Sequence, residues 1–302
     1  MNWEFLRNIE HYLKAKQYRL VNSIVVYQDG ELVFERYFNK FDDNTANTIM
    51  SVWKSILSIT FGICLDKGLV RSVDEPICNY LPQFAENISP FHRMITIRHL
   101  LTMSSGIYYN PGPKYSGPML EQFNRAKDPI AHIADVQVTS TPGTKFVYKE
   151  WDAILLEAII SKICGKPVAD VVKEYVYAPL GINVENRIIA KCGVCGVNCR
   201  CNIMTALDLA KIGHLMLNIG TWSGQRIVSE DYVKSSITSS EPNSGYGFLW
   251  WLSDWGYHGR GYGGQELNIY PGKNIVAVVQ ATATPRAKSY SDICENIVNK
   301  VV

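Results

Sequence analysis

The sequence predicts an α+β fold, an α/β sandwich: one antiparallel sheet built from both ends of the chain, flanked by terminal helices, with a mostly helical region inserted. Three observations predict it. Strand-like runs punctuated by turn residues occur near the start and again from Tyr246 onward, apolar residues between them recur at helical spacing, and both termini read as helices. The expected boundaries place residues 1–60 and 210–302 in the sheet region and 61–209 in the helical insert, forming a single structural unit.

Each element has a local reason. In Met1 to Leu20, Phe5, Leu6, Ile9, Tyr12 and Leu13 fall on one helical face among charged residues. Two β-rich runs, Ile24–Tyr27 and Leu32–Phe34, surround Asp29-Gly30, the pattern of a hairpin with a type I′ turn. From Ser51 to Asp66 apolar residues surround the helix nearly all round, so it is expected to be buried and to end at Gly68. Asp152–Cys164 has one apolar face and stops at Gly165; Thr205–Asn218 has the same period, with Thr205 placed to cap it. Tyr246–Leu252, Tyr257–Gly261, Gln265–Tyr270 and Ile275–Thr282 read as strands, and Ser291–Val301 as a closing helix.

Bulk properties narrow the function classes. A net charge of +2 with no Lys/Arg stripe gives no reason to expect nucleic acid. The charged N-terminus has no signal-peptide apolar block, and no stretch is long enough to span a bilayer, so a cytoplasmic protein with no membrane partner is expected. Gly-x-Ser-x-Gly and His-Glu-x-x-His are both absent, which argues against an α/β-hydrolase and a zincin.

The motif that carries chemistry is Ser51-Val52-Trp53-Lys54, the single Ser-x-x-Lys in the chain. Residues i and i+3 share a helix face, so the Lys54 amine reaches the Ser51 hydroxyl. A serine hydroxyl is a weak nucleophile until a neighbouring base takes its proton, and a lysine serves if burial lowers its pKa. The local pattern alone fits a capping serine followed by a snorkelling lysine equally well.

Further segments carry a resemblance over nearly the whole chain from about Ile24. Ser51-Val-Trp-Lys-Ser-Ile runs into Asp66-Lys-Gly-Leu, Val73-Asp-Glu-Pro and Tyr80-Leu-Pro. After these come Ile97-Arg-His-Leu-Leu-Thr-Met-Ser-Ser-Gly106, Pro142-Gly-Thr-Lys-Phe-Val-Tyr148, Pro179-Leu-Gly-Ile, Thr205-Ala-Leu-Asp-Leu-Ala and Gly263-Gly-Gln265. In this order they resemble the class C β-lactamase-related serine hydrolases, a group that includes penicillin-binding proteins, esterases, D-aminopeptidases and 6-aminohexanoate-dimer hydrolases. The resemblance implies a β-lactamase/transpeptidase-like fold, a small-molecule acyl substrate and no required cofactor. It implies that Ser51 is acylated, that Lys54 takes its proton, and that Tyr148 passes the proton on with a lowered pKa. Read alone, Tyr148 is more often a core or surface tyrosine. The oxyanion is expected to meet the Ser51 amide and one near Tyr262.

The chain departs from the family pattern in places that bear on substrate. Tyr-x-Asn is here Tyr148-Lys149-Glu150, with Asp152 close by, so Glu150 and Asp152 are expected at the substrate. The third motif falls on Gly259-Arg260-Gly261, leaving His258 one residue early; His258, Arg260, Gly261 and Tyr262 are the candidate substrate contacts. Strand alternation allows His258 to face the far side, and Arg260 suits a carboxylate. Substrate choice is expected from loops such as Tyr108–Lys127.

Cys192, Cys195, Cys199 and Cys201 crowd into one glycine-containing loop. Four thiols suit Zn²⁺ or an iron–sulfur cluster, though the spacing matches no usual run, and free thiols or a labile disulfide stay open. Three functions follow. One is an acyl-serine hydrolase of a small ester, amide or D-amino-acid peptide, with β-lactam as a sub-case. The others are a penicillin-binding sensor that acylates without turnover, and a protein responding to metal or redox through the cysteines.

Overall fold

In the computed structural model, residues 13, 18–87, 89–183, 190–191, 200–201, 203–284 and 289–301 are described. All but Leu13 and the last few residues of the expected N-terminal helix lie outside them, as do Cys192, Cys195 and Cys199.

Strand β1 (Val21–Gln28) and strand β2 (Glu31–Tyr37) form the expected hairpin. Asp29 and Gly30 both take positive φ, 51° and 83°, as a type I′ turn requires. The other four sheet strands are β3 (Trp251–Ser253), β4 (Gly256–Gly261), β5 (Gln265–Tyr270) and β6 (Ile275–Ala281). The order is β2-β1-β6-β5-β4-β3, antiparallel throughout, so the first strand lies beside the last with Val25 opposite Val278.

Every residue of β5 and β6 is buried, because the sheet is covered on both faces. Val25, Leu267, Ile269, Val276 and Val278 face the larger core, toward the helices. Ile24, Val26, Ala277 and Val279 face a second core, closed by Tyr290, Ile293, Cys294 and Val298 of the C-terminal segment. Alternation along each strand feeds the two cores.

Helix α1 (Val52–Asp66) is buried from Val52 to Cys64, as its all-round apolar pattern demands. It packs against β4, against helix α2 (Glu150–Cys164) and against helix α4 (Glu230–Ser236). Helix α3 (Ala206–Leu217) lies on the inner sheet face, capped by the Thr205 hydroxyl accepting from the Asp208 N–H. Helix α5 (Ser291–Val301) closes the chain. Among the described residues, no helix is long and apolar enough to cross a membrane.

One expected element is shorter than the sequence implies. Of Tyr246–Leu252 only Trp251 and Leu252 enter a strand. Leu249 takes φ 60°, its N–H donates to Leu101 O, and its carbonyl accepts from the Ser55 hydroxyl at 2.9 Å. The run is bent to dock on α1 instead of extending the sheet.

Candidate active site

The turn into α1 sets the site. Met50 stands at φ 49°, a conformation L-residues avoid, and Ser51 then enters the helical region at φ −69° as the N-cap. The Ser51 side chain makes no capping hydrogen bond. Its Oγ instead accepts from Lys54 Nζ at 3.1 Å, and Lys54 is buried, 3% exposed. A capping serine beside a snorkelling lysine is therefore not what the chain builds.

Strand β4 closes on this turn at van der Waals distance. A Cβ on Gly261 would lie 2.5 Å from Ile49 O, and one on Gly259 would lie 3.0 Å from Val52 Cγ1 and 3.1 Å from Ser55 Oγ. At Gly261, where the obstacle is backbone, only glycine lets the strand come this near, and at Gly259 a side chain would have to push Val52 and Ser55 back. Gly259 is thus the residue facing the helix, and no Lys or His stands at that place.

Glu150, the first residue of α2, is directed at Lys54. Its carboxylate accepts from Nζ at 2.9 Å and 2.7 Å. The sequence suggested an amine whose pKa burial lowers enough for it to act as a base; the structure shows one half of a buried ion pair. Glu150 accordingly sits behind Lys54, not at a substrate amide. Tyr148, two residues earlier, reaches the other side, close enough for Ser51 and Lys54 both to act on its phenol. Its ring stacks on Trp251 at 5.4 Å and has Lys54 Nζ 5.0 Å from its centroid. Burial raises the Tyr148 phenol above its ordinary value, outweighing the Lys54 charge and the hydrogen bonds that favour phenolate. The expected lowering of this group is corrected: it is a protonated phenol at neutral pH.

Above Ser51 opens a solvent-facing cleft. Tyr115, Tyr148, Trp251 and Tyr262 supply aromatic walls, and Tyr115 meets Tyr262 edge-on at 6.4 Å. Arg260 and Gly261 line it too, with Glu266 and Ser289 behind Arg260. Glu266 Oε2 accepts from Arg260 Nε at 3.3 Å, and its Oε1 from the Ser289 hydroxyl at 2.8 Å. Burial pushes the Glu266 carboxyl up, against the pull of Arg260 and Ser289.

Besides Glu150, two further expected substrate contacts are not at the cleft. Asp152 is fully buried, accepting from the Ser105 hydroxyl at 2.5 Å, with Lys149 Nζ at 3.8 Å. His258 faces the far side of the sheet, stacked on Trp255 at 5.3 Å, as strand alternation dictates. Burial, with Arg260 nearby, lowers its imidazole to about 3, so it is neutral across the physiological range. Sequence reasoning had no means of placing Trp251, Tyr115, Glu266 or Ser289 here. Aromatic residues are abundant in this chain and read as core, though Tyr115 does lie in the loop expected to choose substrate.

Among the described residues, no group of three or more His, Cys, Asp or Glu side chains is placed to hold a metal ion. The proposed Zn or iron–sulfur loop, Cys192 to Cys201, lies outside them except for the backbone of Arg200 and Cys201.

The β-lactamase family profile matches residues 6–184, more than half the chain. The chain belongs to the β-lactamase family. Within reach of that family it is similar to a 6-aminohexanoate-dimer hydrolase of Paenarthrobacter ureafaciens, 24% identical over 290 residues, covering 85% of this chain and 71% of that protein. It is also similar to the esterase EstB of Burkholderia gladioli, 25% identical over 187 residues, covering 55% of this chain and 47% of that one. The penicillin-binding protein structure from Bacillus halodurans superposes with a TM-score of 0.75 at 20% identity, covering 97% of this chain and 99% of that one. The fold and the general class, a β-lactamase-family serine hydrolase, follow.

Proposed function

We propose that the protein cleaves a small ester, amide or D-amino-acid peptide through an acyl-enzyme on Ser51. One observation carries the reading: a serine hydroxyl at the floor of an open cleft, hydrogen-bonded to Lys54 and flanked by Tyr148, with a carboxylate behind the lysine. Ser51 Oγ attacks the carbonyl carbon, and the carbonyl oxygen takes the charge against the Ser51 N–H at the amino end of α1 and an amide near Tyr262. The serine proton passes into the Lys54–Glu150–Tyr148 group and leaves through the Tyr148 hydroxyl to the departing oxygen or nitrogen. Water then attacks the acyl carbon, and Ser51 is regenerated.

The walls select the substrate. Aromatic side chains favour an apolar stem, and Arg260 supplies the cation at one end. Glu266 holds its Nε, so among the described residues the two terminal nitrogens of the fork are left for a bidentate carboxylate. With no Asn at position 150 and no Lys or His at 259, the site is better suited to simple carboxylated esters and amides than to penicillins.

The test is intact-protein mass after a fluorophosphonate, with Ser51→Ala as control, followed by turnover of matched ester pairs with and without a free carboxylate. An adduct on the parent alone is expected. Arg260→Ala should raise KM for the carboxylated ester about 10-fold or more and leave the uncharged one within about 3-fold. Equal labelling of the Ser51→Ala protein would remove Ser51 from the chemistry.

A further inference from the structure

Helices α1 and α2 are each fifteen residues long and are tied together at their catalytic ends by Lys54–Glu150. Trp53 Nε1 donates to Glu157 Oε1 at 2.6 Å, a second tie between the same pair. At the far ends stand Cys64, in the last turn of α1, and Cys164, the final residue of α2. Both are free thiols, and their sulfurs are 3.7 Å apart across 100 residues of chain. We propose that Cys64 and Cys164 are a redox-modification site, a dithiol that a hydroperoxide closes to a disulfide joining the helix of Ser51 and Lys54 to the helix of Glu150.

The two thiols differ, and the difference gives the order of events. Cys64 is enclosed in the core, and burial, with Cys164 beside it, pushes its thiol far up. Cys164 is half-buried and lies within the electrostatic reach of Lys166. Lys166 and Lys67 both rest on the Tyr175 ring, at 5.3 Å and 4.8 Å, and Lys166 is also paired with the Glu174 carboxylate. A solvent-borne oxidant meets Cys164 first.

Its thiolate attacks one peroxide oxygen and the O–O bond breaks. The departing alkoxide or hydroxide takes a proton, and Cys164 becomes a sulfenic acid. The Cys64 sulfur then attacks the Cys164 sulfur, the S–O bond breaks, and the hydroxide leaves as water with the Cys64 proton. Two thiols and one hydroperoxide give one disulfide, one alcohol (or water) and one water. Closure brings the sulfurs to about 2.05 Å, a movement that side-chain rotation and a slight helix shift supply.

The experiment uses the full chain, reduced, then treated with hydrogen peroxide, blocked with iodoacetamide and digested with trypsin. The expected product is peptide 55–67 joined to peptide 163–173, lighter by two hydrogens than the two thiol peptides together. It should disappear after reduction and in Cys164→Ser. Cys64→Ala, which removes the second thiol and keeps the core apolar, should instead leave a sulfenic acid on Cys164 that dimedone captures. Recovery of both peptides fully alkylated, or of Cys164 joined to a cysteine of the 192–201 segment, would overturn the proposal. The readout is mass alone and needs no substrate, so failure of the hydrolase reading is a separate result.

Discussion

Among the described residues, two sets of serine, lysine and carboxylate stand out, and one of them opens on a cleft. In the first, Lys54 Nζ lies 3.1 Å from Ser51 Oγ and 2.7 Å from Glu150. In the second, Lys149 Nζ lies 3.0 Å from Ser105 Oγ and 3.8 Å from Asp152. The second set has nothing of solvent: Ser105, Lys149 and Asp152 are each 1% exposed or less. Burial there raises the Asp152 carboxyl despite Lys149 and Ser105 beside it. Similar distances therefore do not by themselves open a serine to a substrate. What separates the sets is access, with the Met50 turn, the two glycines of β4 and the aromatic walls holding Ser51 open to the cleft. The sealed set has a mechanical place: Lys149 lies between Tyr148 and Glu150, and its bonds pin the segment that aims both.

The sharpest way to break this comparison is to remove each serine. Ser51→Ala should lower kcat/KM by at least about 10³-fold with little change in stability. Ser105→Ala should leave kcat within about 3-fold and cost about 1–3 kcal/mol in urea unfolding, because Lys149 and Asp152 lose a partner. If Ser105→Ala abolished turnover in folded protein, the division between an open and a sealed set would fail. Next in size, Lys149→Met strands the Asp152 carboxylate in the core and should destabilise by about 3–5 kcal/mol by chemical denaturation.

The open set can be sharpened by a double-mutant cycle. Lys54→Met and Glu150→Gln, alone and together, should give a stability coupling of about 1–3 kcal/mol, the double variant losing less than the sum. Additive losses would mean that the ion pair contributes nothing as a pair.

The smallest expected effect concerns a buried group that belongs to neither set. His258 has a folded pKa of about 3 against an ordinary 6.5, so the unfolded chain binds its proton first as pH falls. Its contribution is fully present above pH 6.5 and is lost progressively as pH falls toward 3. Between pH 7 and pH 5 the parent should therefore lose about 2 kcal/mol more than His258→Gln, measured by urea unfolding at both pH values. Parallel losses would show that the imidazole is not held neutral.

Much of this was legible in the residues. Asp29-Gly30 specified its turn, the all-round apolar α1 specified its own burial, and the spacing of Ser51 and Lys54 specified their contact. Tertiary matters were not. The single-letter change to Glu150 reads as a lost amide receptor; that it faces Lys54 depends on how α2 packs on α1. Asp152 and His258 are polar residues that look functional in sequence, and only burial shows where they point. Leu249 turns the chain away from the sheet because it bonds to Leu101 and Ser55, partners distant along the chain. The aromatic walls were hidden by abundance: a tyrosine in a cleft and one in a core have the same letter.

The pairing of β1 with β6 has a consequence for biogenesis. On the ribosome, the hairpin of β1 and β2 emerges with its inner edge unpaired, and the strand that satisfies it is made only after the helical middle and the other sheet strands. Until then, Ile24, Val25 and Val26 present an apolar edge that any passing strand can extend. Synthesis of the helical middle fills that interval, and sheet closure is left as a late, long-range step. A chain truncated before Ile275 should consequently be recovered as aggregate, however intact its helices and its Ser51 turn.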